Sequence, residues 1–186
     1  MTGFDLSEAH RALQKQGDGI GPLERWNPEF CGDIDMRIGA DGTWYYLGTP
    51  IGRAAMVQLF SRVLWCEDGH YYLKTPVEKV GIQVDDLPFQ FVSLEKVEAA
   101  GGPELHFTSK TGDRVVAGVE HPLQVLPRAE SEEPAPQLLV RFGMWGRIGR
   151  NLFYELVEMA TTEACADGGE ELVVYSCGER YSLGKL

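Results

Sequence analysis

The chain is short of almost everything that a metal centre or a nucleophilic active site needs. Its four cysteines, Cys31, Cys66, Cys165 and Cys177, never stand at C-x-x-C spacing, and none of the four histidines (His10, His70, His106, His121) stands beside them. That spacing speaks against zinc and leaves reduced thiols as the expectation. No nucleophile triad and no glycine-rich phosphate loop can be read, so no cofactor and no metal are expected, and a catalytic role is not favoured. Cations are scarce as well: 17 Lys and Arg stand against 28 Asp and Glu, for a net charge of −11. A nucleic-acid polymer needs clustered Lys and Arg, so it is not expected as a partner. No apolar run approaches the roughly 20 residues of a membrane helix. The start, Met1 to Glu8, lacks the basic region and apolar core of a signal peptide. The expectation is a cytoplasmic protein with no membrane partner.

What the chain does have is a dense run of strand, turn and cap signals between Cys31 and Lys79. Before it, Ser7 caps a short helix that runs to about Gln16, and Gly17-Asp18-Gly19 ends it. Residues 33–38 alternate: Ile34, Met36 and Ile38 face one way, Asp33, Asp35 and Arg37 the other. Asp41-Gly42 is a hairpin signal, and residues 43–47 return as a strand. Thr49 reads as the N-cap and Pro50 as the first residue of an apolar helix that reaches Leu64. Residues 70–74 form another strand. After Pro76 come short β segments read as an antiparallel meander, then a charged surface loop over 130–136, a strand, a second helix over 151–162 and a strand over 171–176. The tail from Gly178 carries weak signals.

Ile51-Gly52-Arg53 recurs as Ile148-Gly149-Arg150, each after a strand and a glycine turn and each before a helix. We read this as a duplicated strand–helix–strand unit: an α+β fold of two related domains, 1–76 and 77–186, the second a mostly antiparallel sheet with one helix. Both arginines fall in the first turn of a helix, where a cation costs roughly 0.3–1 kcal/mol against the helix dipole. Either an internal carboxylate, Asp33 or Asp35, or a bound anion held with the free backbone N–H groups offsets that cost.

The segments 31–38, 41–53, 59–64 and 71–79, with Asp85-Asp86-Leu87-Pro88-Phe89, His121-Pro122-Leu123 and residues 151–157, resemble the bacterial domain-of-unknown-function family 1285 over nearly the whole chain. The resemblance implies duplication, a pleckstrin-homology-like C-terminal half, and a ligand site between the halves for a nucleotide-like molecule with a role in signal transduction. It brings no catalytic residues.

The candidate ligand site follows from these readings. Arg53, Arg150 and the Thr49 helix start meet an anion, with Arg37 on the same strand face as the two aspartates. Trp44 or Tyr46 offers a flat surface, and Tyr72 is a further aromatic of that kind. Asp33 and Asp35, about 7 Å apart by strand rise, orient the arginines. Lys74 and Lys79 flank Thr75-Pro76 within reach of phosphates. Asn151 and Tyr154 lie one helical turn apart. The expected function is a non-catalytic ligand-binding or sensory module. The alternatives are a protein-interaction adaptor, whose partner is another protein, and a phosphate-ester hydrolase that uses Asp33 or Asp35 with a metal.

Overall fold

The alternation read at 33–38 is a strand, β1 (Phe30–Ile38), with Met36 and Ile38 buried and Asp33 and Asp35 exposed. The computed structural model describes residues 5–15, 17, 19–128 and 131–186. By internal packing the chain divides into two units, Met1–Pro88 and Phe89–Leu186. The boundary read from sequence at residue 76 lies earlier, because the strand after Pro76 pairs inside the first sheet.

The first unit opens with α1 (Leu6–Gln14) and a 3₁₀ turn at Leu23–Arg25. Beyond β1 follow β2 (Trp44–Tyr46), β3 (Thr49–Pro50), α2 (Ala54–Ser61), β4 (Leu64–Glu67), β5 (His70–Lys74) and β6 (Lys79–Val84). The sheet order is β3-β2-β1-β6-β5-β4. β1 and β6 are parallel, and the other neighbours are antiparallel. The helix that was to begin at Pro50 begins at Ala54. Thr49 and Pro50 pair with Tyr46 and Tyr45 instead. The reason is Leu47-Gly48, whose φ values of 49° and 76° make a two-residue hairpin turn with both residues left-handed. The end of the expected helix is also a strand, β4, because Asp68-Gly69 (φ 50° and 78°) closes a second such hairpin between Glu67 and His70.

The second unit contains β7 (Phe89–Ala99), β8 (Gly102–Ser109), β9 (Arg114–Val116), β10 (Leu123–Arg128), β11 (Ser131–Arg141) and β12 (Met144–Ile148). After these come α3 (Arg150–Met159), β13 (Thr161–Ala164), β14 (Glu170–Ser176) and β15 (Glu179–Lys185). The expected loop at 130–136 is largely strand: residues 134–138 pair with β10. The tail is β15, joined to β14 by the left-handed pair Cys177-Gly178. Among the described residues, β7–β12 form one sheet, ordered β10-β11-β12-β7-β8-β9, and β13–β15 form another. Ser176, fully buried, ties the two: its Oγ accepts the Leu105 N–H at 2.8 Å and donates to the Ala117 carbonyl at 2.7 Å.

The two six-stranded sheets share one topology. In each, a central strand leads outward through two antiparallel neighbours to an edge. The chain crosses to the opposite edge and returns inward to lie parallel to the first strand. Duplication is thus consistent with the fold, with β1–β6 matching β7–β12. The Ile-Gly-Arg echo does not mark it, because Ile51 follows an edge strand whereas Ile148 ends a central one. The architecture is two-domain and mostly β, with few helices. Among the described residues no helix is long and apolar enough to cross a membrane.

The turn from β8 to β9 is locked by Asp113. Ser109 Oγ and Thr111 Oγ1 both donate to its Oδ2 at 2.6 Å, and Arg141 of β11 pairs with Oδ1. Both charged groups are largely buried, and the guanidinium lies 4.6 Å from the Phe89 ring centre. Burial pushes the Asp113 carboxyl up, but Arg141 and the two hydroxyls outweigh it and hold the group below its ordinary value. Asp113→Ala removes the carboxylate from a largely buried ion pair and should cost about 3–5 kcal/mol at neutral pH by urea denaturation. Because the folded-state pKa is lowered, the unfolded chain binds more protons in acid. The gap between wild type and variant should therefore narrow as pH falls below the ordinary carboxylate range of about 4.

Candidate functional site

In an antiparallel pair, residues directly opposite share a face of the sheet. Trp65 faces Tyr72, Lys74 faces Lys79, and Tyr72 and Lys74 are two apart on β5. These four side chains therefore line one face. Leu64, Leu73, Val80 and Ile82 point to the other and are buried in the core. The contacts agree with the register. Lys74 Nζ lies 4.1 Å from the Trp65 ring centre, and Lys79 Nζ lies 4.8 Å from that of Tyr72. Phe30 meets Tyr72 edge-on at 5.9 Å. Lys79 is also 2.7 Å from Glu67 Oε2, a bond that holds the Glu67 carboxyl below its usual range. Gly81, opposite Tyr72, completes the floor: a Cβ there would overlap the carboxylate of Asp33 on β1.

Lys74 is the unusual member. It is 6% exposed, and among the described residues no ion pair holds it. Its Nζ rests on an indole face, which is worth about 2 kcal/mol when desolvated. Burial pushes its amine below the usual lysine value, with the push of Lys79 and against the pull of the Glu67 and Glu24 carboxylates. Two lysines on adjacent strands, one already paired and one not, leave a positive spot beside aromatic rings. Such a surface can take an anionic group and lay a flat ring on Tyr72 or Trp65. Among the described residues no group of three His, Cys, Asp or Glu side chains could hold a metal.

The residues expected from sequence fall in several places. Asp33 and Asp35 are exposed on β1, and only Asp33 reaches the lysine–aromatic face through Gly81. Arg37 is taken up by Asp85 and lies 4.4 Å from the Tyr45 ring centre. Trp44 is 2% exposed and packs in the core opposite Ile38, so it offers no stacking surface. Tyr46 pairs with Met36 on that same core side and is half-buried. Thr49 is an exposed strand residue and caps nothing.

Arg53 is itself the N-cap of α2, exposed, with no side-chain capping bond and no acid in the first turn. Arg150 opens α3 and stands 3.8 Å from Glu133, both well exposed. Asn151 and Tyr154 are exposed on α3. Trp65 was missed because no strand was read between the expected helix and residue 70. The Asp-Gly pair at 68–69, a hairpin signal in its own right, was the clue.

The fold and this face define a two-domain, mostly-β protein with a cation–aromatic surface on its first sheet. The family description "Domain of unknown function (DUF1285), N-terminal domain" matches residues 21–87, and "Protein of unknown function (DUF1285), C-terminal domain" matches residues 88–183. The chain belongs to this family. A DUF1285 family protein from Silicibacter pomeroyi DSS-3, solved as a crystal structure, is 42% identical. The match covers 100% of this chain and 97% of that one, with a TM-score of 0.88. A DUF1285 family protein from Shewanella baltica OS155 is 30% identical over 67% of this chain and 91% of that one, with a TM-score of 0.53. No curated protein matches the chain.

The Lys74 environment has a measurable consequence. With its folded-state pKa depressed, burial of the charged form opposes folding at neutral pH, and that penalty disappears as pH rises toward the unfolded lysine value of about 10.4. Lys74→Met should raise the urea midpoint at pH 7, and its advantage over wild type should shrink toward pH 10. A variant less stable than wild type at pH 7 would contradict this account of the site.

Proposed function

We propose that the protein is a non-catalytic binding module that holds a small anionic, ring-bearing ligand of nucleotide type on the lysine–aromatic face of its first unit, in a cytoplasmic signalling role. The observation that carries this reading is Lys74, a cation buried against Trp65 and, among the described residues, in no ion pair. Perturbed, under-neutralised charges of this kind concentrate at functional sites. Lys79 and Tyr72 supply a second cation and a ring within the same strand pair. Asp33, carried over Gly81, supplies an acceptor for a ligand N–H or O–H.

The hydrolase alternative has less support, since Asp33 and Asp35 stand exposed on one strand with no metal-holding cluster near them among the described residues. A pleckstrin-homology-like reading of the second half is favoured by its largely antiparallel strands and its one helix among the described residues, α3.

Thermal melting in the presence of ATP, ADP, AMP or inorganic phosphate, with and without Mg²⁺, tests the proposal. A ligand at 100 times its dissociation constant should add about 2.7 kcal/mol of stability. Lys79→Gln and Tyr72→Ala should each weaken that response while the variants stay folded. If none of these compounds moves the wild-type melting temperature, or if both variants respond as wild type does, the binding reading fails.

A further inference from the structure

Lysine is a nucleophile only as the neutral amine, and proteins enlarge the share of that form by desolvating the amine or by setting a second cation beside it. Both devices meet at Lys74. It is 6% exposed, its Nζ lies 4.1 Å from the Trp65 ring centre, and Lys79 stands directly opposite on β6. Opposite residues of an antiparallel pair have Cβ atoms about 5 Å apart, so two flexible lysines there can reach one small molecule. Lys79 gives one N–H to Glu67 at 2.7 Å, and an ammonium has two more. Around Lys74, burial favours the neutral amine most; Glu67 opposes it, Lys79 supports it, and Glu24 of the 3₁₀ turn opposes it. Two other lysines give a contrast within the same chain. Lys96 and Lys185 are exposed, and each is paired with a carboxylate, Glu98 and Asp167.

We propose that Lys74 is a covalent attachment site for a small α-oxo acid, held as an imine on Nζ with its carboxylate on Lys79. The neutral amine attacks the carbonyl carbon. A C–N bond forms as the C=O π pair moves to oxygen, and a proton passes from nitrogen to that oxygen. Loss of water then leaves C=N. Ammonium and oxo acid become iminium and water, with no oxidant, no reductant and no change in total charge. The iminium is still a cation and keeps the indole face that held the ammonium. An α-oxo acid carries its carboxylate on the atom next to the carbonyl carbon, which suits two amines at facing positions. The near-complete burial of Lys74 restricts the carbonyl compound to a small one. The site shares its lysine pair with the nucleotide reading but does not depend on it. An adduct without a melting response to nucleotides, or the reverse, separates the two.

The test incubates the full chain at neutral pH with glyoxylate, or with the uncharged aldehyde propanal, and reduces it with sodium cyanoborohydride. The reagent delivers hydride to the iminium carbon and fixes each adduct as a secondary amine, which peptide mapping by mass spectrometry assigns to its lysine. With glyoxylate, label at Lys74 should exceed label at Lys96 and at Lys185 by about fivefold or more. With propanal the excess should be smaller. Lys79→Gln should abolish the preference for glyoxylate, and Lys74→Met should lose this adduct alone. Label at Lys74 no greater than at the two exposed lysines overturns the proposal. An equal excess with propanal overturns the α-oxo acid as the class of ligand. A glyoxylate preference undiminished in Lys79→Gln overturns Lys79 as the partner of the carboxylate. Should that variant fail to fold, the wild-type ratios with the two aldehydes still decide.

Discussion

Each half of the molecule hangs on one pair of parallel strands at the middle of its sheet, β1 with β6 and β7 with β12. Parallel neighbours cannot be joined by a hairpin and require a crossover. In the first half the crossover runs from one edge, β3, to the other, β4. Six strands laid flat would put those edges about 24 Å apart. The chain bridges them with the eight residues of α2, about 12 Å of helix, and short linkers. The five linker residues, 51–53 and 62–63, add up to about 17 Å of extended chain, enough to complete the crossing. Once α2 has crossed, the rest of the unit is determined. Met56, Leu59 and Phe60 bury one face of the sheet, and the apolar members of each alternating strand turn toward them.

The opposite face then inherits the charged members, and the molecule neutralises most of them. Arg37 has Asp85, and Lys79 has Glu67. Such partly exposed pairs are worth roughly 0–1 kcal/mol and mainly keep charges satisfied. The second half shows the stronger version, in which Asp113 receives a guanidinium and two hydroxyls as it is buried. Lys74 departs from both patterns. It is buried, yet an indole ring stands where a carboxylate would be expected. A cation–π contact does not replace the hydration of an ammonium, so this position costs stability that a methionine would not.

Much of this could be read in the amino-acid order, and the failures have physical causes. The alternation at 33–38, the strand at 70–74 and the two apolar helices were legible, because one buried face imposes a period of two or of 3.6. The hairpins at Leu47-Gly48, Phe142-Gly143 and Cys177-Gly178 were not. Their first residues are a leucine, a phenylalanine and a cysteine, which seldom adopt positive φ, so the usual Asn or Asp signal is missing. Each missed turn hid a strand: β3, β12 and β15. The acidic segment before Gln137 looked like a loop because it holds two prolines. Both sit in β11, which pairs with a further proline-containing strand, β10. Of the candidate site, Lys74, Lys79 and Tyr72 were visible as residues, but their assembly depended on β4, where no strand was read.

The duplication changes how the arginines are to be understood. Reading Ile51-Gly52-Arg53 against Ile148-Gly149-Arg150 put Arg53 and Arg150 at matching helix starts, where both were to meet one anion. The sheets align differently: the counterpart of the α2 crossover is the stretch between β9 and β10, which contains no helix, whereas α3 follows the last central strand and leads into a third sheet. The two arginines therefore occupy unrelated positions. Arg150 has a carboxylate at hand in Glu133, while Arg53 caps a helix that crosses the core side of its sheet. A shared topology with different covers means that the two sheets bury corresponding faces by different means. The Lys74–Trp65 contact is a property of the first sheet alone. A ligand that recognises it would therefore bind one half of a duplicated scaffold and have no equivalent site on the other.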